Sequence, residues 1–391
     1  MASDRRPGSP PCRLLLKKVL LGFLAGGIIH AEGSVGSGVA LQPAGQNMPT
    51  LLQSARVQEV TTQMKVLLTY RSIPGAGLVE RLSRHFDVRV NDSEGYMSRD
   101  DLLREVGDVD GMVSMLNERI DAELLDRAPR LRVVANYAVG YNNVDVQAAT
   151  SHGVMITNTP DVVTDATADL AWAILMGIAR DVCLVDRFVR SGEWREWRPE
   201  RFIAADITGA TLGIVGLGRI GQAMAKRAAG FDMRVLYADS RRSAPEVESR
   251  CRAAYVSLQD LLRESDFVTV HVPLNAETHH LIDAHALSLM KPTAYLVNAA
   301  RGAIVDERAL VEALKSGRIA GAALDVYENE PFLADGLAEL PNVILIPHLG
   351  ANSRSTRDRM AAMTAENMIA ALSGGMPPNL VNPEVWPHRR R

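Results

Sequence analysis

Thr211-Leu212-Gly213-Ile214-Val215 runs directly into Gly216-Leu217-Gly218-Arg219-Ile220-Gly221, and a helical pattern with Ile220, Ala223, Met224 and Ala228 on one face follows. Few folds accept that order. Isolated Gly-rich turns are common, but a strand, GxGxxG and a helix in succession specify a dinucleotide-binding crossover. Gly216 permits the tight turn, Gly218 lets backbone approach a pyrophosphate, and Gly221 lets helix and strand pack closely, while the helix N-terminus offers free N–H groups to the anion. The next strand, Met233 to Ala238, ends at Asp239, an acid placed to accept from ribose hydroxyls and to repel a 2′-phosphate. NAD is therefore expected ahead of NADP. Ser240, Arg241 and Arg242 follow at once, and an arginine there keeps NADP open.

The fingerprint lies deep in the chain, so a domain is expected before it. Strand candidates Lys65 to Tyr70, Val88 to Val90, Gly111 to Met115, Arg132 to Asn136 and Met155 to Asn158 alternate with helix-sized intervals. The expected fold class is α/β with two doubly wound parallel-sheet domains. One is a discontinuous, flavodoxin-like substrate domain of residues 64–162 and 349–391, and the other a Rossmann NAD(P)-binding domain of residues 163–348. A long amphipathic helix, Ala166 to about Arg190 with Asp165 as N-cap, is expected to bridge them. The helix Ala361 to Leu372 is expected to return to the first domain, and Arg389 to Arg391 to form a solvated tail.

Composition excludes several classes. Lys and Arg number 43 against 46 Asp and Glu, a net charge of −3 that gives no footprint for nucleic acid. The three cysteines, Cys12, Cys183 and Cys251, form neither a disulfide framework nor a metal-ligand spacing, so no metal and a cytoplasmic setting are expected. Arg5, Arg6, Lys17 and Lys18 ahead of the apolar run Val19 to Ile29 trace a signal-peptide outline. That run is shorter than the roughly 20 residues a membrane helix needs, and no clean cleavage pattern follows it. Residues 1–63 therefore read as an aperiodic extension outside the fold, or as untranslated sequence ahead of a start at Met64.

Beside a dinucleotide that delivers hydride, reducing a carbonyl needs a cation to bind and polarise the substrate and a donor for the developing alkoxide, and three side chains have that chemistry. Arg301 sits in a Gly-flanked turn after the apolar run Ala294 to Val297, at the carboxyl end of an expected strand, and its fork suits a planar carboxylate. His348 follows the strand Val343 to Ile346 and would act as general acid in reduction. Glu330, held by Pro331, would pair with that imidazole and fix its tautomer. Glu328 is the competing acid, set aside because two residues along an extended turn point elsewhere. His279, His280, His285 and His388 read as surface residues, while His271 is open between a cofactor-side and a packing role.

Val139-Gly140-Tyr141-Asn142-Asn143, Asn158-Thr159-Pro160-Asp161-Val162, Gly216 to Gly221, Asn298-Ala299-Ala300-Arg301-Gly302, Asp325-Val326-Tyr327-Glu328-Asn329-Glu330-Pro331 and Pro347-His348-Leu349-Gly350 together resemble the D-isomer-specific 2-hydroxyacid dehydrogenase family. The resemblance covers roughly Met64 to Pro383 and is closest to glyoxylate and hydroxypyruvate reductases. It implies Arg301, Glu330 and His348 as the catalytic set. It also implies cofactor contacts at Gly216, Gly218, Arg219, Ile220, Gly221, Asp239, Pro273, Thr278, Ala299, Arg301, Asp325, His348 and Gly350, with Asp325 bonding the nicotinamide carboxamide. Substrate contacts are implied at Leu116, Val139, Gly140, Arg301 and His348. Two departures stand out: Asp232 where relatives carry glycine, and Asn142 where an acid is frequent.

The implied protein is a homodimer without membrane or nucleic-acid partners that reduces glyoxylate or hydroxypyruvate to glycolate or D-glycerate. Trp194 and Trp197 lie in an aromatic loop suited to a dimer interface or to a small core of their own. A 2-ketogluconate reductase or another D-2-hydroxyacid dehydrogenase is the near alternative, and an NAD-sensing corepressor the distant one. The short run after His348 argues against the long, serine-sensing phosphoglycerate dehydrogenases, and Glu330 against formate dehydrogenase, which has glutamine there.

Overall fold

The computed structural model describes residues 63–71 and 77–391, so the N-terminal extension, up to residue 62, lies outside the described residues. From Lys65 the chain alternates strand and helix: β1 Lys65–Leu68, α1 Leu78–Ser83, β2 Asp87–Val90, α2 Arg99–Glu105, β3 Gly111–Ser114, α3 Ala122–Arg127, β4 Val133–Asn136, α4 Val146–Ser151 and β5 Met155–Thr157. The helices begin where the sequence supplies caps. Ser98, Asp121 and Asp145 each accept the backbone N–H three residues on, satisfying an amide the helix leaves open. β3 and β4 are buried along their whole length, as strands covered on both faces must be. The five strands pair in parallel in the order β2-β1-β3-β4-β5. That is the flavodoxin-like order, with its switch point between β1 and β3.

α5 Thr164–Ala179 and α6 Val182–Arg190 lead to the second sheet. There β6 Thr211–Val215, α7 Arg219–Ala228, β7 Arg234–Ala238, α8 Pro245–Cys251, β8 Ala253–Tyr255, α9 Leu258–Glu264 and β9 Phe267–Val270 follow. α10 Ala284–Leu289, β10 Tyr295–Asn298, α11 Glu307–Lys315, β11 Gly321–Leu324 and β12 Val343–Leu345 complete it. The seven strands are parallel in the order β12-β11-β10-β9-β6-β7-β8, so the winding reverses between β6 and β9. Crevices for ligands form at such reversals, beyond the carboxyl ends of the strands. The last long helix, α12 Arg354–Leu372, packs on β3, β4 and β5 of the first sheet through Met360, Ala361, Ala365 and Met368.

Three local expectations are corrected. The bridging helix is two helices, because Asp181 takes a left-handed φ of 53° after Ala179-Arg180, and α6 then leaves the core with no buried residue. Asp is among the few side chains that accept this conformation cheaply. Val163, not Asp165, occupies the N-cap of α5. The strand β8 lacks a sequence signal because two of its three residues, Ala254 and Tyr255, are exposed and no apolar run marks it. The terminal arginines are not a solvated tail. Arg390 donates from Nη1 to the carbonyls of Ala128 and Leu131 in the turn that follows α3, and Arg389 lies 3.5 Å over the Trp386 ring. Asp232 does adopt the left-handed region, at φ 51°. Among the described residues no helix is long and apolar enough to cross a membrane, and no cluster of His, Cys, Asp and Glu is arranged to hold a metal.

Candidate active site

The carboxyl ends of both sheets face one cleft of about 1180 Å³. At its second-sheet wall the chain leaves β6 through Gly216 at φ 96°, where a Cβ would meet His271 backbone and Val272 within about 3 Å. A Cβ on Gly221 would lie 2.1 Å from the Gly216 carbonyl oxygen, so only glycine lets α7 sit against the loop. Gly218 is different: nothing lies within 4 Å of its Cβ position, which leaves open space at the first turn of α7. An open cradle beneath amides that the helix cannot satisfy fits a dinucleotide pyrophosphate. Asp239 closes the crossover from the far side, accepting Leu217 N–H at 2.9 Å and Ser240 N–H at 2.7 Å.

Arg301 follows β10 in a turn held by Asn298, whose side chain accepts Ala300 N–H and donates to the Arg301 carbonyl. Its guanidinium reaches across to the first sheet, with Nε 2.9 Å from Asn142 Oδ1 and Nη1 2.7 Å from the Ala300 carbonyl. Gly140 makes room for it, since a Cβ there would stand 1.7 Å from Nη2. Burial lowers the pKa of this guanidinium, against the opposing charge of Glu330.

His348 follows β12 in the left-handed region at φ 54°, anchored by its N–H to the Asp325 carbonyl at 2.8 Å. Its Nδ1 lies 2.9 Å from Glu330 Oε2, and Glu330 Oε1 accepts Tyr327 N–H at 3.0 Å. Burial pushes the Glu330 carboxyl up, but the His348 hydrogen bond and charge, the Tyr327 N–H and the charge of Arg301 together hold it below its ordinary value. An ionised Glu330 can only accept, so Nδ1 carries a proton and Nε2, which has no partner among the described residues, is left to exchange one. Asp325 stands behind this turn, its two oxygens accepting Leu349 and Gly350 N–H at 2.6 and 2.9 Å, and burial raises its pKa.

Glu328 is occupied elsewhere. Its Oε1 accepts Glu307 N–H while Glu307 accepts Glu328 N–H, a reciprocal clamp that ties the turn to the start of α11. The same carboxylate lies 3.2 Å from His280, which is half-buried rather than a free surface residue. His271 bonds Thr269 Oγ1 through Nε2, its Nδ1 is buried without a partner, and burial lowers it to about 3.

On the first sheet, Asn136 and Asn158 side chains fix the Gly140 and Val139 carbonyls, and neither Val139 nor Gly140 donates its N–H within the described protein. Leu116, Val139, Gly140, Arg219, Ile220, Pro273, Ala299, Arg301, Asp325, Glu330, His348 and Gly350 all line the cleft. Gly216, Gly218, Gly221 and Asp239 lie beyond that lining, at the junction of β6, α7 and β7. Thr278 does not line the cleft, because its hydroxyl donates to Pro273 O and accepts Asn275 N–H inside its own loop. Sequence reasoning missed the Asn142 contact with Arg301, although Asn142 had stood out as a departure. It also missed the Glu307 clamp, for which adjacent acids at the start of a helix carry no distinct signal.

Residues 172–350 match the sequence profile described as D-isomer specific 2-hydroxyacid dehydrogenase, NAD binding domain. The glyoxylate reductase of Thermococcus onnurineus is 54% identical over 325 residues, spanning 82% of this chain and 96% of that protein. Among solved structures, a glyoxylate reductase from Paecilomyes thermophila superposes with a TM-score of 0.73 at 34% identity, covering 83% of this chain and 99% of that one. An NADPH-dependent glyoxylate/hydroxypyruvate reductase from Sinorhizobium meliloti, solved with NADP and malonate, gives 0.73 at 34% identity, covering 84% and 99%.

Proposed function

The chain belongs to the D-isomer-specific 2-hydroxyacid dehydrogenase family, and we propose that it reduces glyoxylate or hydroxypyruvate to glycolate or D-glycerate in the cleft between its two sheets. The single observation carrying this reading is the convergence of the Arg301 guanidinium and the His348–Glu330 pair, far apart in sequence, on one cleft. A bound nicotinamide dinucleotide, held by the Gly216–Gly221 loop and Asp239, supplies the hydride. Residues 163–348 form its domain, and residues 64–162 with 349–391 the substrate domain. Thr278 acts there through its own loop rather than by contact.

The protein's own residues do the rest. Arg301 binds the substrate carboxylate and polarises the adjacent carbonyl, and the unused N–H groups of Val139 and Gly140 share the carboxylate. His348 holds a proton at Nε2 and delivers it to the carbonyl oxygen as negative charge develops. Glu330 accepts from Nδ1 and so orients the ring and fixes its tautomer. Leu116 forms an apolar wall that suits a small group on carbon 3. Asp325 supports the His348 turn through Leu349 and Gly350 N–H and bonds the nicotinamide carboxamide.

Asp239 favours NAD over NADP through its charge at the ribose edge. The glyoxylate reductases to which the chain is similar support the substrate class, and the Sinorhizobium meliloti enzyme among the solved structures is NADPH-dependent. The reading includes a homodimer. It is supported by a strap in which α6 buries nothing and Trp194, Trp197 and Ile203 are 59%, 78% and 82% exposed, more apolar surface than a lone subunit leaves in water without use. It also includes a cytoplasmic setting, supported by Cys183 and Cys251 standing unpaired.

The test is a panel of glyoxylate, hydroxypyruvate and 2-ketogluconate with NADH and NADPH, on the unmodified protein and Arg301→Lys. Consumption with the first two, and a KM raised by the loss of bidentate geometry, is expected. No consumption with any keto acid overturns the proposal.

A further inference from the structure

Beyond β7 the chain carries three polar residues in a row at the ribose edge: Ser240, Arg241 and Arg242. The structure treats the two arginines differently. Arg242 donates from Nε and Nη2 to the two oxygens of Glu248, at 2.9 Å each. Glu248 is itself held: its Oε1 also accepts the hydroxyl of the buried Tyr237 at 2.5 Å, and that hydroxyl accepts Ser243 N–H at 2.9 Å. The loop from Asp239 to Ser243 is thus pinned to β7 and α8 through one carboxylate. Arg242 and Tyr237 together draw that carboxyl down to about 2, so it stays ionised at any working pH. Arg241 is exposed and makes no side-chain hydrogen bond or ion pair among the described residues.

We infer that Glu248 is a specificity-determining residue for the dinucleotide, acting by withholding Arg242 from a 2′-phosphate. A forked guanidinium is the group best suited to a phosphate, and two parallel bonds to a carboxylate use the same donors. With Arg242 committed, Asp239 opposes the 2′-phosphate with only Arg241 left to attract it. Glu248 does not line the cleft, and its effect runs through Arg242. The inference extends the cofactor part of the proposed function and does not depend on which keto acid is reduced.

The experiment is a fluorescence titration of the full chain with NADH and with NADPH, no keto acid present, on the unmodified protein, Glu248→Gln, Arg242→Met and the double variant. Glu248→Gln keeps a side chain that can still accept from Tyr237. The ratio of the NADH to the NADPH dissociation constant is expected to move about twofold to fivefold toward NADPH in Glu248→Gln, the scale of one exposed charge contact. The double variant is expected to lose that gain, because it depends on the released guanidinium. A gain that persists in the double variant overturns the inference, since removing the carboxylate's charge would then be sufficient, and so does a ratio that moves in neither Glu248→Gln nor Glu248→Ala. If neither dinucleotide binds the unmodified protein, the cofactor reading itself falls. Glu248→Ala, read in the same way, guards against a Gln that rebuilds the clamp.

Discussion

Replacing Glu330 by Gln changes one oxygen for an amino group while leaving the volume of the side chain almost untouched. In the native site the carboxylate accepts two bonds, from Tyr327 N–H at 3.0 Å and from the His348 ring at 2.9 Å. Glutamine has a single acceptor atom, so one of the two donors must face an amino group. If the amide oxygen stays with the imidazole, a charge-assisted bond becomes a neutral one, a difference of about 1 kcal/mol once the partial exposure of both partners is allowed for. If the amino group faces the ring, the whole interaction goes, about 2 kcal/mol. The expected loss in kcat for glyoxylate reduction is therefore about fivefold to thirtyfold.

The pH dependence has a defined sign. Glu330 has a carboxyl held below its ordinary value, so its contribution to folding is fully present above the unfolded carboxylate value and is lost as pH falls through the lower folded one. Thermal unfolding of the Gln variant is expected to be less sensitive to acid below about pH 4 than that of the native protein. Steady-state kinetics across pH and a melting series at acid pH read the two effects. A kcat within twofold of native at every pH would show that the carboxylate does not support the proton donor.

Gly140→Ala tests the reach of Arg301 across the cleft. The new Cβ would stand 1.7 Å from Nη2, the free end of a flexible side chain, so the protein is expected to fold normally while KM rises about tenfold or more through a displaced guanidinium; an unchanged KM contradicts this. Gly302→Ala tests the turn that carries Glu330. Its Cβ would fall 1.8 Å from the Tyr327 carbonyl carbon and 2.3 Å from Glu328 N, backbone that cannot step aside, so denaturant unfolding is expected to show a loss of about 2–3 kcal/mol or more. A native melting curve for that variant would contradict the packing described.

Much of the architecture was legible in the sequence, because parallel strands covered on both faces give dense apolar runs such as Val133-Val134-Ala135, whereas the caps Asp121 and Asp145 emerged only from the structure and the one expected N-cap, Asp165, gives way to Val163. The break between α5 and α6 was not legible. Nothing in Ala179-Arg180-Asp181 disturbs the apolar period, and only the left-handed Asp181 ends the helix. Packing of Arg390 against the Ala128 and Leu131 carbonyls was hidden for a related reason: a cation at a chain end reads the same whether it meets water or backbone acceptors. In the candidate site, Arg301, Glu330 and His348 could be named from chemistry, since few side chains perform those tasks. What holds them could not. Asn142, Glu307 and Asp325 meet their partners through tertiary approach, across intervals that leave no local pattern.

Turnover of glyoxylate with NADH by His348→Asn, set beside the native protein, bears most directly on the proton delivered from this imidazole. The expected result is a fall in kcat of about 10² to 10⁴, the usual worth of a general acid. Turnover at the native rate would mean that the ring bonded to Glu330 is not the proton donor, and that the chemistry lies elsewhere in the molecule.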